Sequence, residues 1–181
     1  MSDPFFFGYG SLVNRATHGY GDAAPARVHG WRRHWRQIAS FPRAILTAAP
    51  EAGSRIDGLI ARVPGADWAA LDAREAAYDR ITVTGRIDHS HASASAIAIY
   101  EIPAAKHPAP EAPHPIALSY LDVVVQGYLE EFGLRGVADF FATTTGWEAG
   151  ILDDRSNPLY PRAGATTLDA KLLTDKHLSG L

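Results

Sequence analysis

Apolar positions along this chain come in short runs and alternations as far as Ile102, and at helical spacing beyond it. The first run, Phe5-Phe6-Phe7, is short and aromatic, as in a buried strand, and breaks at once into Gly8-Tyr9-Gly10-Ser11-Leu12. Val28, Trp31, Trp35 and Ile38 stand among basic residues and predict one or two strands over 27–38, with the tryptophans in the core and Arg32, Arg33 and Arg36 on a solvated face. Residues 44–48 and 56–63 predict further strands separated by a loop around 50–54. Residues 81–87 and 96–102 alternate as a strand pair connected through 88–95. Five prolines make 103–115 a surface loop. Leu121, Val124, Tyr128, Leu129 and Phe132 then predict a helix over 116–132, with Gly133 as its C-cap and a second helix over 137–145. From Gly146 the pattern is irregular, Asn157-Pro158-Leu159-Tyr160-Pro161 reading as an extended or turning segment. No internal repeat interrupts this order, which is that of an α+β chain.

One segment of the first half departs from the strand pattern. Residues 67–78 are alanine-rich, follow Pro64 and Gly65, and begin with Asp67 as N-cap, which predicts a short helix. On it Trp68, Leu71, Glu75 and Tyr78 fall at i, i+3, i+7 and i+10 and share a face. Trp68 and Leu71 turn that face to the core, so Glu75 occupies a place suited to leucine. A carboxylate there is either paired, by Arg74 or Arg80, or carries a pKa raised by desolvation and serves as a general acid/base. The turn after Phe7 offers complementary chemistry. Its glycines permit positive φ and close approach of a ligand, and successive N–H groups in such a turn converge on an anion or carbonyl oxygen.

Composition narrows the classes. The 181 residues, 46% hydrophobic, suit one domain spanning 1–181. Cysteine is absent, which excludes disulfides, a thiol nucleophile and thiolate metal sites. A net charge of −3 argues against nucleic acid as a partner. No membrane-spanning run or signal peptide is legible, so the expected location is cytoplasmic. Gly8-x-Gly10 lacks the third glycine of a dinucleotide fingerprint, with Val13 in its place, and Tyr9 and Val13 break the G-x-S-x-G pattern around Ser11. His89 and His91 lack a third ligand at convincing spacing, Asp72, Glu75 and Asp79 make only a weak ligand row, and no metal site is expected.

Three stretches together resemble the gamma-glutamylcyclotransferase-like superfamily. Tyr9-Gly10-Ser11-Leu12 follows the first strand as the family's YGSL does. Asp57-Gly58-Leu59-Ile60 is similar to its G-x-(L/I/V) strand. Leu71-Asp72-x-x-Glu75-x-x-Tyr78-x-Arg80-x-x-Val83 matches its LD-x-x-E-x-x-Y-x-R-x-x-V pattern. Arg74-Glu75 is also similar to the RE pair of the glutathione-degrading ChaC branch, although Ala76 and Ala77 stand where that branch usually carries glycines. The resemblance covers about residues 5–100. It implies a curved, barrel-like mixed sheet flanked by helices and a small-molecule gamma-glutamyl substrate that cyclises to 5-oxoproline. It makes Glu75 the catalytic residue and places Tyr9, Gly10, Ser11 and Leu12 around the glutamyl part, with Tyr78 beside the pocket as a hydroxyl donor. No cofactor is implied. Leaving-group selectivity would fall to loops, 103–115 and the segment near Tyr160. A γ-glutamylamine cyclotransferase or related acyl transfer, or a non-catalytic binder of the same fold, are the alternatives.

Overall fold

The computed structural model describes residues 3–83, 86–94, 96–164 and 166–181. The unalternating Phe5–Phe7 run is explained by its place. β1 (Phe5–Gly8) pairs antiparallel with β3 (Ile45–Arg62) on one side and parallel with β6 (Ile97–Glu101) on the other, and all four of its residues are buried. A strand covered on both faces needs apolar residues at every position. β2 (Ala24–Arg36) lies along β3, and β4 (Asp79–Thr82) along β6. β5 (Ile87–His89) and β8 (Thr144–Thr145) occupy different stretches of β2's far edge.

The mixed sheet runs in the order β4-β6-β1-β3-β2-β5 and is open, because no pairing between β4 and β5 closes it among the described residues. A mixed sheet flanked by helices is thus found as expected, without closure into a full barrel among the described residues. The loop predicted around 50–54 is instead a bulge within one continuous β3. His29 pairs with Arg55 but Trp31 with Pro50, so the residues between Pro50 and Arg55 project from the ladder. The strand predicted over 81–87 divides. Its first half is β4, opposite Ile99 and Ala98, whereas Ile87 joins β5 at the other end of the sheet. Within this region Thr84, Gly85 and Ser95 lie outside the described residues.

α1 (Ala69–Arg74) is shorter than the predicted 67–78 helix. Trp68 is its N-cap, with Asp67 just before it accepting a hydrogen bond from the Ala69 N–H, and Glu75 (φ −103°, ψ 36°) already leaves helical geometry. Pairing of Asp79 and Arg80 with Glu101 and Tyr100 draws the following chain into the sheet and overrides its alanine-rich propensity. α2 (Leu118–Ala142) joins the two predicted helices, with a break at Gly133 (φ 65°, ψ −165°), the position expected to end the first. Its first half is buried on every side. A short parallel pair, β7 (Ile116–Ala117) and β9 (Ile151–Leu152), precedes and follows it.

Two further expectations fail. The tail is not wholly irregular, because α3 (Leu168–Leu178) packs on α2. It is capped by Thr167, whose side chain accepts from the Ala170 N–H, with Asp169 in its first turn and Lys176 and His177 in its last. Arg33 is not solvated. It lies on the inward row between the buried Trp31 and Trp35 and is 1% exposed. Its guanidinium donates to Thr143, Thr144, the Tyr128 hydroxyl and the Asp57 carbonyl. Among the described residues, no helix is long and apolar enough to cross a membrane.

Candidate active site

After β1 the chain turns through Tyr9 and Gly10 into a 3-10 turn, Ser11–Val13, closed by hydrogen bonds from Val13 N–H to Gly10 and from Asn14 N–H to Ser11. Gly10 has φ −119°, and Gly8 is likewise not among the residues with positive φ, so the conformational reason expected for these glycines is not the operative one. Space is. A Cβ at Gly10 would stand 2.7 Å from the Tyr120 hydroxyl and 3.3 Å from Leu46 Cδ2. Tyr120 comes from the first turn of α2, and its hydroxyl lies against the amide and hydroxyl of Ser11.

Glu75, just past α1, faces this turn across a recess of about 30 Å³ that also touches Tyr9, Gly10, Tyr78 and Tyr120. Its side chain is 15% exposed, and Arg74 Nε lies 3.3 Å from Oε1. Arg74 is shared, because its Nη atoms donate to Thr17 and to the Ser11 hydroxyl. Glu75 is therefore paired, but incompletely. Burial raises its pKa, with Arg74 and Arg162 opposing the rise. Arg80, the other proposed partner, instead pairs with Asp72 at 2.8 Å and lies over the Trp68 ring.

Three phenols surround the carboxylate. Tyr9 donates to the Tyr100 carbonyl (2.6 Å) and Tyr78 to the Leu46 carbonyl (2.8 Å). Burial lifts the pKa of Tyr9, Tyr78 and Tyr120, and the Glu75 charge adds to the rise in each. They are neutral hydroxyls over the working pH range. In this structure the Tyr78 hydroxyl lies beside the recess and donates its proton to the Leu46 carbonyl.

The recess opens into a larger chamber of about 520 Å³, walled on its outer side by Leu159, Tyr160, Pro161 and Arg162. Buried polar contacts hold that wall. Asp154 accepts from the Ser119 N–H and hydroxyl and from the Leu159 N–H, and Arg155 pairs with Asp122 of α2 at 2.8 Å. The Tyr160 ring meets Tyr120 edge-on, and its hydroxyl is buried without a hydrogen-bond partner among the described residues. Among those residues no group of three or more His, Asp or Glu side chains converges as a metal site.

Of the six anticipated residues, the structure brings Tyr9, Gly10, Ser11, Glu75 and Tyr78 around one recess. Leu12 borders the recess, but its side chain packs into a small core with Phe6, Val63 and Leu71. Segment 103–115 contributes nothing to the chamber, whereas the segment near Tyr160 does. Tyr120 and Arg162 were missed. Tyr120 precedes Leu121 in the predicted helix, off the Leu121–Val124–Tyr128 row, and an aromatic with a polar tip in that place was the available signal. Arg162 carried none.

The ChaC-like protein family model matches residues 5–125. No curated protein matches the sequence. Solved structures that share the fold include uncharacterized protein loc79017 from Homo sapiens, with 16% identity, a TM-score of 0.61 and coverage of 97% of this chain and 99% of that one. A gamma-glutamyl cyclotransferase is similar over the same shares, with 16% identity and a TM-score of 0.58. YkqA from Bacillus subtilis shows 15% identity and a TM-score of 0.60 over 81% of this chain and 57% of its own.

Proposed function

This chain belongs to the ChaC-like protein family, and from that premise we propose that it is a gamma-glutamyl cyclotransferase. The observation that carries the reading is Glu75, an incompletely paired, largely buried carboxylate of raised pKa set opposite the Tyr9–Leu12 turn. A substrate seated in the larger chamber, with its glutamyl part against the mouth of the recess, presents its α-ammonium to Glu75, which takes a proton. The freed amine attacks the γ-carbonyl carbon, closing a five-membered ring, and the carbonyl oxygen takes the negative charge. Collapse of this tetrahedral species breaks the original C–N bond as Glu75 returns its proton to the departing nitrogen, and the ring nitrogen passes its second proton to the released amine, which leaves as its ammonium. The products are 5-oxoproline and the released amine.

Tethering supplies much of the rate, since oriented intramolecular attack reaches effective molarities on the order of 10⁵ M or more. A raised carboxyl pKa suits both halves of the proton transfer, because the acid formed in the first half remains strong enough to protonate the leaving nitrogen in the second. Backbone N–H groups of the turn and the neutral Tyr120 hydroxyl would hold the glutamyl carboxylate and the developing oxyanion without competing for the proton.

The outer chamber supports a finer reading. Arg43 and Arg162 line it beside the unpartnered Tyr160 hydroxyl. That set favours a leaving amine with a carboxylate, an amino acid or peptide, over a simple alkylamine. The test is 5-oxoproline release from a panel of γ-glutamyl amino acids, glutathione and γ-glutamyl alkylamines. Turnover of the carboxylated members ahead of the alkylamines is expected, and release from no member would overturn the proposal.

A further inference from the structure

A second cavity, of about 320 Å³, lies between the β2–β3 bulge and the C-terminal half of α2 and shares no lining residue with the Glu75 cleft. Five arginines line it (Arg27, Arg32, Arg33, Arg55 and Arg135), against two carboxylates, Asp57 and Asp139. Those carboxylates are already engaged. Asp57 takes both arms of Arg27 at 2.6 and 3.0 Å, and Asp139 lies 3.9 Å from Arg135. Arg55 has no ion pair among the described residues. Arg32 reaches the half-exposed Glu51 with one Nη, while its Nε is buried without a partner.

Arg33 is the most telling member. Every acceptor on its fully buried guanidinium is neutral, and no carboxylate lies within ion-pair distance among the described residues. A buried cation without a counterion is costly, and the four partly or fully exposed guanidiniums around the same cavity add positive potential beside it. The Tyr128 and Phe140 rings, about 5 Å away, and the threonine hydroxyls keep Arg33 fixed, so a ligand would meet a charge that needs no reorganisation. Planar guanidinium forks match the oxygens of phosphate groups in paired hydrogen bonds.

We propose that this cavity binds a small molecule carrying clustered phosphoryl oxyanions. Three arginines without a full carboxylate partner in so small a volume call for dense negative charge, which a diphosphate group supplies and a single phosphate does not. The site is independent of the cyclotransferase reading.

Calorimetric titration of the full chain with inorganic pyrophosphate tests it. Saturable one-to-one binding is expected, tighter than for inorganic phosphate or citrate and weaker as sodium chloride is added. Arg55→Gln combined with Arg135→Gln should lower the affinity by about tenfold or more. Both side chains are exposed and Arg135 is only loosely paired, so the variant should melt like the parent; Arg55→Gln alone, at a position without an ion pair, gives a second reading. Arg162→Gln, in the other cleft, should leave the binding unchanged. Absence of saturable binding at millimolar pyrophosphate, undiminished binding in the Arg55/Arg135 variant, tighter binding of citrate, or loss of binding in Arg162→Gln would each overturn the proposal.

Discussion

Replacing Gly10 with alanine tests whether the opening turn is built around Tyr120. The new Cβ would lie 2.7 Å from the Tyr120 hydroxyl, against about 3.5 Å for an unstrained contact, so the two must part by about 0.8 Å. The hydroxyl is the far end of its side chain, but the ring is held edge-on against Trp35 and Tyr160 at centroid distances of 5.9 and 5.0 Å. Overpacking of this kind costs about 1–3 kcal/mol, which for a chain of this size lowers Tm by roughly 2–12 °C. Tyr120→Phe removes the oxygen, leaving Leu46 Cδ2 at 3.3 Å as the nearest neighbour to the new methyl group. In that background Gly10→Ala should be nearly neutral, a coupling of about 1 kcal/mol or more in a double-mutant cycle read by chemical denaturation. KM for a γ-glutamyl substrate should rise in the single Gly10→Ala variant and largely recover in the double variant. Costs that add within about 0.5 kcal/mol would refute the steric argument.

Glu75 also predicts a pH dependence. Catalysis needs its carboxylate form at the start, so kcat/KM should fall on the acid side with an inflection above the ordinary glutamate value of about 4.3. Its folded pKa lies above the unfolded one, so its stabilising contribution is complete below the unfolded value and is lost as pH rises through the folded value. Melting curves should show the parent losing stability relative to Glu75→Gln over that window. Asp154 behaves in the opposite sense. Burial pushes its pKa up, but hydrogen bonds from Ser119 and Leu159 outweigh this and hold it below the usual range, so its contribution is lost as pH falls through the folded value. Asp154→Ala should cost about 2–4 kcal/mol by denaturant titration and raise KM, because the Tyr160 wall loses its tie to α2.

Much of the central sheet was legible because burial on both faces leaves an unmistakable mark, as in Phe5–Phe7. The recess was legible because its two halves are local motifs, the turn after β1 and the Glu75 segment. Local pattern failed where distant pairing decided the outcome. Residues 75–78 have helical composition, but β6 draws Asp79 and Arg80 into the sheet and ends α1 early. Arg33 reads as a surface residue, and only the convergence of Tyr128, Thr143 and Thr144 makes its burial tolerable. α3 has weak amphipathy, although Thr167 and Asp169 at its start were readable as a cap. Tyr160 and Arg162 reach the cleft through Asp154 and Arg155, whose partners on α2, Ser119 and Asp122, lie more than thirty residues away.

Glu75→Gln, followed by direct quantification of 5-oxoproline from the best γ-glutamyl substrate, tests the central claim most directly. Glutamine keeps the shape of the side chain beside Tyr9, Tyr78 and Tyr120 but cannot carry the proton. The account predicts a folded protein that still binds the substrate and turns it over about 10²- to 10⁴-fold more slowly. If Glu75 served only to pair with Arg74, the same change would lower Tm and leave kcat in the folded fraction close to that of the parent. A variant that releases 5-oxoproline at close to the parent rate would contradict the account.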